Sequence, residues 1–239
     1  WVSNEQMIDW IDHITKSHGK KVKFLNFKEA RERLTKNLLG GQPLKDINGQ
    51  DNGVRLLDLD NDGFMDVVIG NEHIQQTRLW NPKTQKWKIS HFPFRIVQKD
   101  SKGNSEETGA KFGILQPNGY ASVFISNKSI KGIWDFNGNT WTQNNTNIRG
   151  LELNKQMIQT SVNGQDNGIR LCDTNNDGIC EIIISNFKDQ GVFSWNKTEK
   201  KWIKLKFNLP KSVSITRKDG RDNGVRFVDI NEDNYLDII

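Results

Sequence analysis

The segment Asp51-Asn-Gly-Val-Arg-Leu-Leu-Asp58 returns as Asp166-Asn-Gly-Ile-Arg-Leu-Cys-Asp173 and again as Asp222-Asn-Gly-Val-Arg-Phe-Val-Asp229. A recurring segment constrains a fold more than a single motif does. Each copy must be one structural unit that buries its apolar face against the next. Gly53, Gly168 and Gly224 mark equivalent points, 115 and 56 residues apart. The first interval has room for two units. Gly109-Ala-Lys-Phe-Gly-Ile-Leu-Gln-Pro-Asn-Gly119 supplies the hidden copy, because it keeps the ten-residue step between glycines shown by Gly53 and Gly63. The intervals then become 56, 59 and 56 residues. Three Trp-x6-Trp pairs, Trp80/Trp87, Trp134/Trp141 and Trp195/Trp202, fall one per complete unit, which gives six of the eight tryptophans one repeating role.

Within a unit the runs are short and β-branched or aromatic, as in Val54-Arg-Leu-Leu, Val67-Val-Ile, Thr77-Arg-Leu-Trp and Lys86-Trp-Lys-Ile. They read as four strands, and Asn137-Gly138 between one Trp pair is a hairpin signal. The expected fold class is mainly β: a partial β-propeller of four-stranded antiparallel blades, about 56 residues each. A β-sandwich or β-solenoid is the competing architecture. The repeats occupy residues 45–239, as units of about 45–100, 101–160 and 161–216 and a truncated 217–239. The chain opens at Trp1 without an initiator Met and closes inside an apparent strand, so it reads as a piece of a longer protein.

Between the first two strands of a unit lies the chemistry. Asp58-Leu-Asp60-Asn-Asp62-Gly63-Phe64-Met-Asp66 places oxygen ligands at positions 1, 3, 5 and 9, a turn glycine at 6 and the Phe64 carbonyl at 7. Such a curl can wrap one hard cation, and carboxylates this close repel one another without one. The third unit offers Asp173, Asn175, Asp177 and Glu181 with the Ile179 carbonyl. The fourth offers Asp229, Asn231, Asp233 and Asp237 with the Tyr235 carbonyl, and Asn234 stands in the glycine slot. The second unit has Ile114, Gln116, Asn118 and Ser122 there, so it is expected to bind no metal. All-oxygen ligation suits Ca2+ rather than zinc or magnesium. An EF-hand is excluded, because position 12 is Ile69 or Ile184, inside a strand. A metal-free polar hairpin is the plainer alternative. Arg55, Arg170 and Arg226 are expected to pair with acids such as Asp51, Asp166 and Asp222. Cys172 and Cys180 align with apolar positions flanking the loop and read as buried thiols, with a cross-hairpin disulfide left open.

The Asp-x-Asp-x-Asp-Gly-x-x-Asp loop, flanked by Gly-Val-Arg-Leu-Leu-Asp and a Val-Val-Ile strand, resembles the FG-GAP/VCBS repeats. The resemblance covers roughly residues 45 to 239. It implies an integrin-α-like propeller, usually seven-bladed, with calcium in the hairpin between the first two strands of a blade.

The first forty residues change to a helical period. Ser3-Asn-Glu-Gln6 opens a helix expected to bury Met7, Trp10, Ile11 and Ile14 and to stop at Gly19. Residues 22–27 read as a strand. Asn26, with Glu29 three positions on, caps a second helix running to Leu39. This αβα element, residues 1–41, resembles the last such element of NodB-type polysaccharide deacetylases, including bacterial proteins that join that domain to VCBS repeats. The residues that carry the likeness are Trp1, Ile8-Asp-Trp-Ile-Asp12-His13 and Lys20-Lys-Val-Lys-Phe-Leu-Asn-Phe-Lys-Glu-Ala-Arg-Glu-Arg-Leu34. The family's metal-binding and acid–base motifs lie upstream of that element. No catalytic role therefore passes to His13 or His18, and the chain itself is expected to be non-catalytic.

The charge excess is only +5 and is spread along the chain, which does not argue for nucleic acid, and no apolar run is long enough for a membrane span. The expected function is a calcium-binding propeller of a secreted bacterial carbohydrate-active protein that binds glycan or a cell surface. The alternatives are a protein–protein scaffold for a cell-surface protein, or the non-catalytic part of an intact deacetylase. Calcium modules of this kind work outside the cytoplasm, at dissociation constants of roughly 10⁻⁴ to 10⁻³ M, so the expected location is extracellular or periplasmic. The paired tryptophans either stack on sugars or pack between blades.

Overall fold

The computed structural model describes residues 2–144 and 147–239; Trp1 lies outside them. The chain divides into two compact units, Trp1–Gln42 and Pro43–Ile239.

In the first unit, helix Asn4–His18 begins with the expected capping box: the Gln6 N–H donates to Ser3 Oγ, and the Ser3 N–H to Gln6 Oε1. Gly19, at φ +52°, ends it. A second capping box, Asn26 with Glu29, opens helix Phe27–Glu32, which continues as a π-helix over Arg33–Leu38. The strand expected at 22–27 does not form, because no described residue pairs with it. A lone strand leaves its N–H and C=O groups to water and has nothing to pack on. The expected burial fails for the same reason: Met7 is 45% and Trp10 59% exposed, Ile11 is exposed, and Ile14 is only half-buried. The element is therefore two capped helices joined by unpaired chain, not αβα.

The second unit is mainly β. It contains three four-stranded antiparallel sheets. The first is made of Val54–Leu57, Asp66–Gly70, Gln75–Asn81 and Lys86–His91. The second is Lys111–Ile114, Ala121–Ser126, Lys131–Phe136 and Trp141–Gln143. The third is Ile169–Cys172, Glu181–Ser185, Gln190–Asn196 and Lys201–Lys204. In each the strands are adjacent in chain order. The pair Phe227–Val228 and Asp237–Ile238 repeats the first two strands once more.

The second strand of each full sheet is buried along its whole length. Its alternate side chains point to opposite faces, and this stacks the sheets. Val68 packs with Val123 and Ile125 in a core between the first two sheets. Phe124 packs the other way, with Ile182 and Ile184 of the third sheet. Ile183 continues outward to Ile215, Val225 and Phe227. Cys172 sits in that last cluster and Cys180 in the one before it, and both thiols are free. Burial pushes Cys172 up to about 12 and Cys180 to about 11. No cross-hairpin disulfide forms.

The tryptophan pairs differ from expectation in the second sheet. Trp80 faces Trp87 and Trp195 faces Trp202, with ring centroids 5.0 and 5.6 Å apart. Trp141 faces Phe136 instead, at 5.1 Å. Only four residues separate Phe136 from Trp141, where six separate the other pairs, so the shorter hairpin moves Phe136 into the slot. Trp134 packs on Phe94 at 4.9 Å. Trp141 and Trp202 also donate their indole N–H groups to the preceding unit, at Thr77 Oγ1 and the Asn147 carbonyl. These rings pack units together.

Gly53, Gly109, Gly168 and Gly224 all have φ between +67° and +91°, as the hidden copy requires. A Cβ on Gly168 would lie 2.5 Å from the Ser185 carbonyl oxygen, whereas one on Gly103 meets open space at a similar φ. Gly168→Ala is therefore expected to cost about 2–4 kcal/mol in urea unfolding, and Gly103→Ala only about 1 kcal/mol. Equal costs would contradict the close approach.

Candidate metal centre

Each acidic loop is tied by its own carboxylates. In the first, the Asp62 and Gly63 N–H groups donate to Asp58 Oδ1 and Oδ2 at 3.1 and 2.8 Å, and the Phe64 N–H donates to Asp62 Oδ1 at 2.9 Å. The third and fourth loops repeat this. Asp177 and Gly178 donate to Asp173, and Ile179 to Asp177. Asp233 and Asn234 donate to Asp229, and Tyr235 to Asp233. All three loops take left-handed φ at positions 4 and 6: Asn61 and Gly63, Asn176 and Gly178, Glu232 and Asn234. Asn234 at φ +70° fills the glycine slot, as an asparagine can. In the second unit, position 4 is Pro117, whose ring cannot adopt positive φ. That loop therefore differs in backbone as well as in charge.

Position 9 anchors the hairpin. Asp66 is 1% exposed and accepts from the Leu59 N–H at 2.9 Å and the Trp80 N–H at 2.7 Å, tying the loop to the third strand. Glu181, 2% exposed, accepts from the Thr174 N–H and hydroxyl, the Asn175 amide and the Ser194 hydroxyl. In the second unit the acid has crossed strands: the Ser122 hydroxyl donates to Asp135 Oδ1 at 2.7 Å. Neither the Ser122–Asp135 exchange nor the left-handed Asn61 was among the residues expected from sequence. The Asn at position 4 of two acidic loops was the signal for the latter.

Of the sequence-based ligands, Asp58, Asp60 and Asp66 bring carboxylate oxygens within 4.8 Å of one another. Asp60 Oδ1 is buried with no hydrogen-bond partner. Burial, then the charges of Asp62 and Asp58, push the Asp60 carboxyl up. Burial pushes Asp66 up to about 6 despite its two backbone donors. The loop thus collects negative charge and an oxygen without a donor, a donor set that fits a hard cation. Asp62 stays at the rim, exposed. In the third loop the Asn175 amide donates to Glu181 at 3.0 Å, and in the fourth the Asn231 amide donates to Asp233 at 3.0 Å, so those side chains bond each other.

The expected arginine pairs form: Arg55–Asp51 at 2.7 Å, Arg170–Asp166 at 2.7 Å and Arg226–Asp222 at 2.8 Å. Lys111 takes the arginine position in the second unit. It bridges Glu107 to Asp166 of the next unit, at 3.2 and 3.0 Å. For Asp166, burial would raise the carboxyl, but the Lys111 and Arg170 charges outweigh it and hold it low.

No family model, curated protein or solved structure matches the chain. Among the described residues, no helix is long and apolar enough to cross a membrane.

Between about pH 4 and about pH 6 the native Asp66 holds a proton that the unfolded chain has released. Its contribution to stability therefore falls as pH rises through that window and stays lost above it. In chelator, the urea midpoint of the natural sequence relative to Asp66→Asn should decline from pH 4 to pH 6. A flat or rising difference would contradict the buried-carboxylate assignment.

Proposed function

We propose that the chain is a calcium-stapled β-propeller module of FG-GAP/VCBS type that attaches a secreted bacterial carbohydrate-active protein to glycan or to a cell surface. The observation that carries this reading is the convergence of Asp58, Asp60 and Asp66 around a buried, donorless Asp60 oxygen. Calcium there would be held by Asp58, Asp60, Asp62, Asp66 and the Phe64 carbonyl. It would neutralise the carboxylates and pin the first two strands together. The equivalent sets are Asp173, Asn175, Asp177, Glu181 and the Ile179 carbonyl, then Asp229, Asn231, Asp233, Asp237 and the Tyr235 carbonyl. In those loops the Asn amides would turn their oxygens inward.

Support for a propeller comes from three successive sheets of identical strand order, each stacked face to face on the next. Successive loops are also stitched together. The Ala121 N–H donates to the Leu59 carbonyl at 2.9 Å, and the Cys180 N–H to the Ile114 carbonyl at 2.7 Å. Filling one loop would thus brace its neighbour. Attachment rather than catalysis is the role proposed for this chain. An extracellular or periplasmic setting supplies enough calcium for sites of this kind.

Thermal unfolding tests the reading. At 10 mM Ca2+, a site with a dissociation constant of about 10⁻⁴ M adds about 2.7 kcal/mol, or about 5–10 °C in midpoint for a chain this size. Mg2+ should give little of this shift, EDTA should remove it, and Asp60→Ala with Asp177→Ala should remove most of it, leaving only the share of the 229–237 loop. A midpoint indifferent to calcium would contradict the proposal.

A further inference from the structure

The strands that leave the hairpin loops, Asp66–Gly70, Ala121–Ser126 and Glu181–Ser185, run into turns at their far ends. Those turns are built alike on Asn71, Asn127 and Asn186. Each side-chain oxygen accepts two backbone N–H groups, and each amide donates to a carbonyl at the end of the neighbouring first-strand lead, at Asn52, Thr108 and Asn167. The face opposite the acidic loops is therefore regular and fixed by hydrogen bonds.

Two grooves open on this face. One, of about 570 Å³, lies where the first and second sheets meet; the other, of about 500 Å³, lies where the second and third meet. They adjoin, because Gln159 and Val162 line both. Gln159 is half-buried between two buried residues, Ile158 and Thr160, and its backbone carbonyl accepts from the Asn167 amide at 2.8 Å. Its position is therefore fixed, yet among the described residues its side-chain amide makes no hydrogen bond. Val162 and Phe187, 37% and 64% exposed, add an apolar strip. Charges on the walls balance: Arg95, Lys128 and Lys188 against Glu106, Glu107 and Asp189.

The geometry points to this continuous trough as the binding site for a neutral oligosaccharide, with the Gln159 carboxamide as its central polar contact and Val162 and Phe187 beneath the sugar rings. The inference rests on the glycan-attachment reading above and assigns it a place. A carboxamide presents donors and an acceptor in one plane, which matches adjacent hydroxyl groups. Balanced walls give no preference for a charged ligand. An extended peptide would need a free strand edge or deep apolar pockets. Here Ser161–Val162 is already paired with Gln165–Asp166, and the apolar strip is shallow. Trp134, Trp141, Trp195 and Trp202 are engaged in packing between units.

The test is isothermal titration of the full chain, in calcium, with hexamers of β-1,4-linked N-acetylglucosamine and of β-1,4-linked xylose. One hexamer should bind. Gln159→Ala and Phe187→Ala should each weaken it about tenfold, with circular dichroism and thermal midpoint unchanged. Chemical-shift changes at the Val162 methyl groups of the unsubstituted chain should report the same contact without a variant. Binding that survives both substitutions and leaves Val162 unmoved would overturn the trough and leave glycan attachment standing. No heat with either hexamer, from a chain still stabilised by calcium, would overturn the trough and its sugar ligand and leave the calcium scaffold. A peptide that binds in the trough in place of sugar would also overturn it.

Discussion

A buried carboxylate beneath the first and third hairpin loops, Asp66 and Glu181, is the interaction on which the architecture turns. Asp66 accepts one N–H from the loop and one from the third strand, so a single side chain fixes the turn, the second strand and its neighbour. Glu181 does the same with four donors. Burying such a group costs free energy unless its charge is met, and the raised pKa of Asp66 records that cost. On the proposed reading a cation meets it from the loop side. The second unit solves the same problem differently, by moving the acid to Asp135 and leaving a hydroxyl at position 9.

The fourth pair of strands, Phe227–Val228 with Asp237–Ile238, shows the anchor in a two-stranded sheet. Asp237 still accepts from the Ile230 N–H at 3.0 Å, but among the described residues no third strand donates to it, and it is only half-buried. Ile238, equivalent in place to Val67, is 41% exposed where Val67 is fully buried. Loop conformation is therefore local, written in Asp229, Asp233 and Asn234. Burial of the second strand is a tertiary property that needs neighbours on both sides and both faces.

That division explains what could be read in advance. The hidden second unit, the capping boxes of Ser3 and Asn26 and the Arg–Asp pairs four residues apart all depend on short-range spacing, and the sequence displays that spacing. The placement of Trp134 does not. Two residues fewer in one hairpin exchanged it for Phe136, and a Trp-x6-Trp count cannot register that change. The strand expected at 22–27 has the right composition, yet a strand exists only with a partner. The Asn71, Asn127 and Asn186 turns sit at matching places in the three four-stranded units, but short Asn-initiated turns are too common to stand out. In the candidate centre, the three-fold convergence of Asp58, Asp60 and Asp66 followed from the one-three-nine spacing. The amide contacts that draw Asn175 and Asn231 toward neighbouring carboxylates depend on side-chain rotation.

The central claim is that the acidic loops hold calcium and that the Ile114–Ser122 hairpin does not. Crystals grown with calcium, measured at a long wavelength where calcium scatters anomalously, test this directly. The expected map has a peak inside the 58–66 loop, ringed by oxygens of Asp58, Asp60, Asp62 and Asp66 and the Phe64 carbonyl at about 2.3–2.6 Å. Further peaks should lie inside 173–181 and 229–237, and none at 114–122. Loops that hold only water at saturating calcium, with the carboxylates bonded to backbone as they are here, would contradict it.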